Sequence, residues 1–385
     1  MKKKAVLFAI IGLTVLLTGC WDRTEINQYA FWMGTLLERL EGGDLKVSAQ
    51  IAIPSRIGFS GNRTAQEQRG NIIISAVGRT LMDTCDKIQS KLPRRLFIGH
   101  RRSVFLGESL AKKGISDSLD MYTRNMDTSL RTSVFVVLGE HPEQILTLNS
   151  PFDPFSANAA VDQDNYSRIG DKALRDFIVA MESETTSPIL SAIDLQPLSK
   201  EEQGKTFEIE RLALFNRKSE MVGLLDEKES LHALWIMNKL KRTFLTGYIS
   251  EGKGNGGYVT VSENNMASVI RTSVKDGQIT VAVRLTGKGT IKENRTSLDL
   301  LRPGNVLLVQ QVMEEQTKET VEETIREVQQ KYGTDIFGFG EAVHRQHPYL
   351  WKELKKDWLA AFPKMKVSVE VHLKIKRIGA QGKRV

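Results

Sequence analysis

The C-terminal third of the chain constrains the fold most. Val367, Val369, Val371, Leu373 and Ile375 alternate strictly with polar residues, which is the period of a half-buried strand. Upstream, Val321, Ile325, Val328 and Tyr332 recur at i, i+4, i+7 and i+11, one apolar stripe of an α-helix. Glu314, Glu315, Lys318, Glu319, Glu322, Glu323, Arg326 and Glu327 form the opposite, charged face, expected to be solvated. The spacing predicts a helix over about 306–332, ended by Gly333. Between the apolar runs 269–274 and 279–285, Lys275-Asp276-Gly277 is an Asp-Gly hairpin signal. One-faced strands and a one-striped helix are stable only when their apolar sides cover each other. Residues 269–385 are therefore expected to form an α+β domain, its sheet packed on one long amphipathic helix.

The preceding residues mix strands with helices in the same way. Leu45, Val47, Ala49 and Ile51 alternate as a half-buried strand, residues 55–69 are polar and Gly-rich and read as a loop, and Val77, Leu81, Cys85 and Ile88 follow helical spacing. Core strands are expected over 95–105 and 133–138, with helices over 108–131 and one more over 173–181. These give an N-terminal domain over residues 20–195. Residues 183–205, with Pro188, Pro197 and the run Lys200-Glu201-Glu202-Gln203-Gly204-Lys205, read as a linker. A hairpin over 207–225 and a helix over 226–239 begin a small middle domain, residues 206–268. Strands mixed with helices make the expected fold class α+β, and the chain length suits two or three domains.

The first twenty residues are a leader. Lys2, Lys3 and Lys4 precede the apolar residues 5–17, and the segment closes on Leu17-Thr18-Gly19-Cys20. The run is shorter than the about 20 residues that span a bilayer, and the small Thr18-Gly19 pair suits a peptidase cutting before Cys20. The spacing resembles a bacterial lipobox. Residues 1–19 then form a lipoprotein signal peptide, and Cys20 receives S-diacylglyceryl and N-acyl groups. Chains of this kind hold a protein at a membrane because each buried methylene contributes about 0.8 kcal/mol.

The chain carries a net charge of +8, part of it in the three leader lysines. What is left is scattered, with short concentrations at Arg94-Arg95, Arg101-Arg102 and Lys374-Lys376-Arg377 and no aromatic interleaving for stacking bases. Nucleic acid is not an expected partner. Cys85 is the only cysteine besides Cys20, so no disulfide framework is expected and the thiol reads as a small core residue.

No catalytic constellation emerges. His344 and His347 stand i, i+3, but a zinc site takes three or four ligands and no Cys or Glu completes a known spacing. Gly252-Lys253-Gly254-Asn255-Gly256-Gly257 is followed by a strand pattern, not a helix, and lacks the Lys-Ser/Thr pair of a phosphate loop; it reads as a hairpin. No Gly-x-Ser-x-Gly, Ser-x-x-Lys or His-Glu-x-x-His motif occurs. His100 could serve as a base but reads as a strand-end residue. Trp351 and Trp358 are spaced to fill one core. No catalytic, metal or cofactor-binding residue and no cofactor is assigned.

Several segments resemble one family. Leu17-Thr18-Gly19-Cys20-Trp21-Asp22-Arg23 with Glu25-Ile26-Asn27, then Gly78-Arg79-Thr80, Gly99-His100-Arg101 and the run Gly107-Glu108-Ser109-Leu110-Ala111-Lys112-Lys113-Gly114-Ile115 carry the first half. Leu119-Asp120, Arg124, Arg131 and Gly139 fit the same block. Ala213-Leu214-Phe215, Val222-Gly223-Leu224-Leu225 and Asp335-Ile336-Phe337-Gly338-Phe339-Gly340, with Pro348, Trp351 and Trp358, carry the second. Together they resemble the C-subunit lipoproteins of spore germinant receptors, the Ger(x)C family; Glu140-His141-Pro142 departs from it, standing where a small residue is usual. The resemblance implies an α+β fold of three successive domains, each a mixed or antiparallel sheet flanked by helices, and a non-enzymatic, lipid-anchored subunit of a nutrient germinant receptor required for spore germination. It also implies placement on the outer face of the spore inner membrane, beside receptor A and B membrane subunits. Two other classes stay open on the residues alone. One is a lipid-anchored small-molecule binding protein delivering a nutrient to a transporter, which needs a deep, partly polar pocket. The other is a surface hydrolase, which needs converging acid, base or metal ligands.

Overall fold

The computed structural model describes residues 25–53, 70–125, 128–148, 150, 152–170, 172–198, 205–252, 255–275 and 278–379. Cys20, the leader and the loop expected at 55–69 lie outside the described residues. The fold is α+β, built on two sheets.

The first sheet contains β1 (Tyr29–Arg39), β2 (Leu45–Ala52), β3 (Asn71–Gly78), β4 (Arg95–Phe97), β5 (Ser103–Gly107), β6 (Ser133–Val137), β7 (Ile189–Pro197), β8 (Lys205–Phe215) and β9 (Met221–Leu225). Its order is β3-β2-β1-β5-β6-β7-β8-β9, with β4 paired to the start of β1. β1, β5, β6 and β7 run parallel, whereas β2, β3, β8 and β9 add antiparallel edges. Parallel strands are covered on both faces and so read as unbroken apolar runs; Val134-Phe135-Val136-Val137 is one. Its alternate residues feed two cores, Phe135 and Val137 one, Val134 and Val136 the other.

Two expectations change here. Residues 189–197 of the expected linker are β7, an inner strand paired with β6 and β8. The prolines that suggested a linker bracket this strand: the Pro188 carbonyl accepts from Phe215 N–H at 3.0 Å, and Pro197 is the last strand residue. Residues 199–204 lie outside the described residues. A helix absent from the sequence reading, Ser156–Tyr166, packs on β1 through small side chains. Ala157 meets the bare backbone of Gly34, where an added Cβ would stand 2.5 Å from the Ala157 methyl. The helix is polar apart from its alanines and one valine, so it shows no apolar stripe.

The second sheet is β10 (Arg242–Gly252), β11 (Asn255–Lys275), β12 (Gln278–Asn294) and β13 (Lys366–Arg377), in that order. The glycine-rich segment is the β10–β11 hairpin, Gly252 paired with Asn255, and Lys275 pairs with Gln278 at the next turn; Lys253, Gly254, Asp276 and Gly277 lie outside the described residues. Residues 206–268 divide between the sheets, β8 and β9 in the first, β10 and half of β11 in the second. The helix Glu227–Ile236 links them. Asp226 caps its start, accepting from Glu229 N–H at 2.8 Å while the Glu229 carboxylate accepts from Asp226 N–H at 2.9 Å.

The long helix runs Pro303–Glu327, continues as a π-turn Val328–Tyr332, and ends at Gly333 in the left-handed region (φ 60°). Val309, Met313, Val321, Ile325 and Val328 are buried against the second sheet. Glu314 is not part of a solvated face: its Oε1 accepts from Leu373 N–H of edge strand β13 at 2.7 Å. Gln316 reaches the other way, donating its amide to the Tyr248 carbonyl of edge strand β10 at 2.8 Å. The sheet curves around the helix until side chains of one helix partner both edges, satisfying backbone groups that would otherwise template another strand. Trp351 and Trp358 share a core as expected, ring centroids 5.3 Å apart.

Candidate functional site

Several of the residues that carry the family resemblance are packing knots. Thr80 Oγ1 caps the helix Leu81–Gln89, accepting from Asp83 N–H at 3.1 Å. Glu108 Oε2 accepts from Gly139 N–H at 2.7 Å, which holds the turn after β6. Gly223 of β9 lies under the Tyr332 ring, where a Cβ would stand 2.3 Å from a ring carbon.

Asp335 is the densest knot. It is buried, with Oδ1 accepting from Gly338 and Phe339 N–H at 3.0 and 3.1 Å and Oδ2 accepting from Gly340 N–H at 2.6 Å. Burial pushes its carboxyl up to about 6 despite those backbone donors. Its own carbonyl accepts from Ser187 N–H at 2.7 Å, and Thr334 Oγ1 donates to the Phe215 carbonyl at 3.2 Å. The Asp335–Gly340 motif thereby ties the C-terminal region to the first sheet.

Arg101 is another charged group in the interior. Its guanidinium carbon sits 4.9 Å from the ring centroids of both Trp32 and Tyr122, and Nη1 donates to Tyr122 Oη at 2.6 Å. Nε and Nη2 have no partner among the described residues. Aromatic faces here take the place of a counter-ion. Cys85, on the same side of the sheet, is buried beside Leu81 and Ile88, and burial pushes its thiol up, which suppresses the thiolate.

Two of the concavities among the described residues bear on the classes left open by the sequence. One, of about 480 Å³, lies between the Glu227–Ile236 helix, β10 and the long helix, and is lined by Leu231, His232, Trp235, Thr243, Met313 and Thr317. Burial pushes His232 down to about 4, so the ring is neutral, with Nδ1 2.9 Å from Thr324 Oγ1. Thr243 Oγ1 is buried without a partner among the described residues. The other, of about 380 Å³, is basic and is lined by His100, Arg102, Arg131 and Lys172 among others, at the ends of β5 and β6.

The histidines do not converge. His344 stacks on Trp351 with centroids 5.6 Å apart, His347 Nε2 lies 3.1 Å from the Thr272 carbonyl, and His100 lies against Phe31. Among the described residues no three His, Cys, Asp or Glu side chains are placed to share a metal ion. The hydrolase class therefore finds no converging ligands in that part of the chain.

The sheet-and-helix architecture and the signature knots define a two-part chain, and both parts match known families. Residues 22–195 match the spore germination protein N-terminal domain, and residues 210–379 match the C-terminal family described as spore germination B3/GerAC like. The chain belongs to the Ger(x)C family of spore germination proteins. YfkR of Bacillus subtilis (strain 168) is 26% identical over 95% of each chain. Spore germination protein KC of the same organism is 23% identical over 98% of this chain and 97% of its own, and spore germination protein B3 is 21% identical over 99% and 100%. The crystal structure of the GerBC protein superposes with a TM-score of 0.59, covering 89% of this chain and 97% of that one at 14% identity, which is a likeness of fold. No helix among the described residues is long and apolar enough to cross a membrane.

Proposed function

We propose that this protein is the lipid-anchored C subunit of a nutrient germinant receptor. It is held by acylated Cys20 on the outer face of the spore inner membrane, where it assembles with the A and B membrane subunits. The observation that carries the reading is the match of both halves to spore germination families, joined to the Leu17-Thr18-Gly19-Cys20 spacing at the start. The non-enzymatic reading is supported by three buried polar groups held in packing: Asp335 by four donors, Arg101 between two rings and His232 beside Thr324. An anchor raises local concentration beside membrane partners, so interfaces of modest area suffice.

The test replaces Cys20. Wild-type protein should incorporate labelled palmitate and sediment with membranes, and Cys20→Ala should do neither, with loss of nutrient-triggered germination. Membrane retention and labelling of Cys20→Ala would refute the anchor; normal germination with every nutrient after deletion of the whole coding sequence would refute the receptor role.

A second reading, a binding protein that hands a small nutrient to a transporter, draws on the cavity beside Thr243 and His232. Saturable heat on titrating nutrients into the protein, abolished by Thr243→Val, would support it.

A further inference from the structure

We infer that the end of the first sheet from which the chain emerges is a membrane-facing surface that takes the phosphates of anionic lipid headgroups. This rests on the reading that Cys20 is acylated. β1, β5 and β6 are parallel, with Gly34 opposite Ser103 and Ser103 opposite Ser133, so their N-terminal ends share one end of the sheet. Arg101 and Arg102 lead into β5, Arg131 into β6, and Arg95 of β4 pairs with Tyr29 at the start of β1. The basic concavity opens here, lined by His100, Arg102, Arg131 and Lys172.

Charge is polarised along the strands. Arg94, Arg95 and Arg131 are exposed with no carboxylate partner among the described residues, and Arg102 has only Asp162, 3.9 Å away. At the opposite end stand Glu41 and Asp44 in the β1–β2 turn, Glu108 after β5, and Glu140 and Glu143 after β6; Lys46 and Lys112 there are paired with Glu38 and Glu108, and with Arg39, Lys113 and Lys205 also present this end is of mixed charge, in contrast to the arginines of the other. The basic end also exposes apolar side chains suited to the headgroup boundary: Ile26 is 74% exposed, Leu130 40% and Phe97 38%.

Chain length selects the occupant. Glu25 is five residues from Cys20, a tether of at most about 18 Å. The eleven residues of β1 extend about 36 Å, while charges are screened beyond about 10 Å. An acylated Cys20 therefore brings the basic end within reach of lipid phosphate and leaves the opposite end outside the attractive range.

The test uses the full-length acylated protein in vesicles of phosphatidylcholine and phosphatidylglycerol that carry a chain-brominated lipid. A fluorophore is placed on Leu130→Cys or, as the far-end control, on Glu140→Cys. Cys85 is buried and Cys20 acylated, so the new thiol takes the label. Flotation reports the anchor, and quenching reports which end faces lipid. The expected result is strong quenching at position 130 and none at 140. The difference should be lost in phosphatidylcholine alone and in R94Q/R95Q/R102Q/R131Q, which should still float. Flotation with equal quenching at both positions, or quenching at 130 indifferent to lipid charge, would overturn the surface while leaving the anchor standing. Failure to float would overturn the anchor, and the surface with it.

Discussion

The indole N–H of Trp358 donates to Asp335 Oδ2 across 3.3 Å of buried interior, completing a carboxylate that already accepts three backbone N–H groups. Residues far apart in the chain thereby fix one turn, and that turn docks on the first sheet through Ser187 and Phe215. The conspicuous Asp-Ile-Phe-Gly-Phe-Gly signature is accounted for by this packing.

Asp335→Ala strands four donors, three backbone N–H groups and the Trp358 indole, each costing about 1–3 kcal/mol when left buried and unpaired. The variant should unfold at markedly lower denaturant, losing several kcal/mol, about the scale of disrupting a buried charged network. Trp358→Phe removes one bond and should cost about 1–2 kcal/mol. Urea unfolding followed by tryptophan fluorescence checks both, and equal losses for the two variants would show that the backbone donors contribute nothing.

Arg101 should behave differently under two replacements. Arg101→Ala opens a void between Trp32 and Tyr122 and leaves the tyrosine hydroxyl without its donor, a combined loss of about 3 kcal/mol. Arg101→Met also removes that donor, but it refills the space and removes a charge whose Nε and Nη2 are unpartnered among the described residues; replacing buried charge by apolar volume is often neutral or better, which offsets the lost hydrogen bond. Thermal denaturation should rank wild type and Met together, with Ala well below.

How much of this was legible depends on the range of the interactions. The long helix, the Asp-Gly hairpin and the apolar β6 announce themselves because their periods are local. β7 does not: Pro188 and Pro197 mimic a linker, and only pairing with β6 and β8 shows that the residues between them are core. The burial of Cys85 followed from Leu81 and Ile88 on its own helix face. That of Arg101 depends on Trp32 and Tyr122, which only the fold brings together. Glu263 is equally opaque from its neighbours, although Gly287 and Gly289 mark where its carboxylate must lie. The reading of Cys20 rests on local sequence alone, since the residue lies outside the described residues.

Glu263 makes stability depend on pH. Its side chain is fully buried on β11, both oxygens lack partners among the described residues, and it lies over Gly287 and Gly289, where added Cβ atoms would stand 2.7 and 2.4 Å from its oxygens. Burial pushes its carboxyl up from 4.5 to about 7. The folded state thus holds this proton more tightly than the unfolded state, so the group costs nothing below about pH 4.5, and stability falls as pH rises through 7. At about 1.4 kcal/mol per unit, the full penalty above pH 7 is on the order of 3 kcal/mol. Glu263→Gln should therefore stabilise the protein at pH 8 and not at pH 5. Asp335, raised to about 6, has the same sign and acts in both proteins, so the difference in denaturant midpoint between wild type and variant isolates Glu263. A pH-independent difference would contradict the assignment.

Glu314 and Gln316 guard the edges of the second sheet, so their removal should be read in association as well as stability. Glu314→Ala frees the Leu373 N–H on β13, and the lost bond costs about 1 kcal/mol. Exposed edge groups are also a template for another chain, and β13 alternates apolar and polar side chains along a twelve-residue edge. Light scattering on gentle heating should show earlier association for Glu314→Ala than its small stability loss accounts for. Glu314→Gln keeps an amide oxygen at the same reach and should behave as wild type, because the strand needs an acceptor, not a charge. If Gln fails as Ala does, the negative charge matters instead, and the helix meets the edge by electrostatics and not by partnering its backbone.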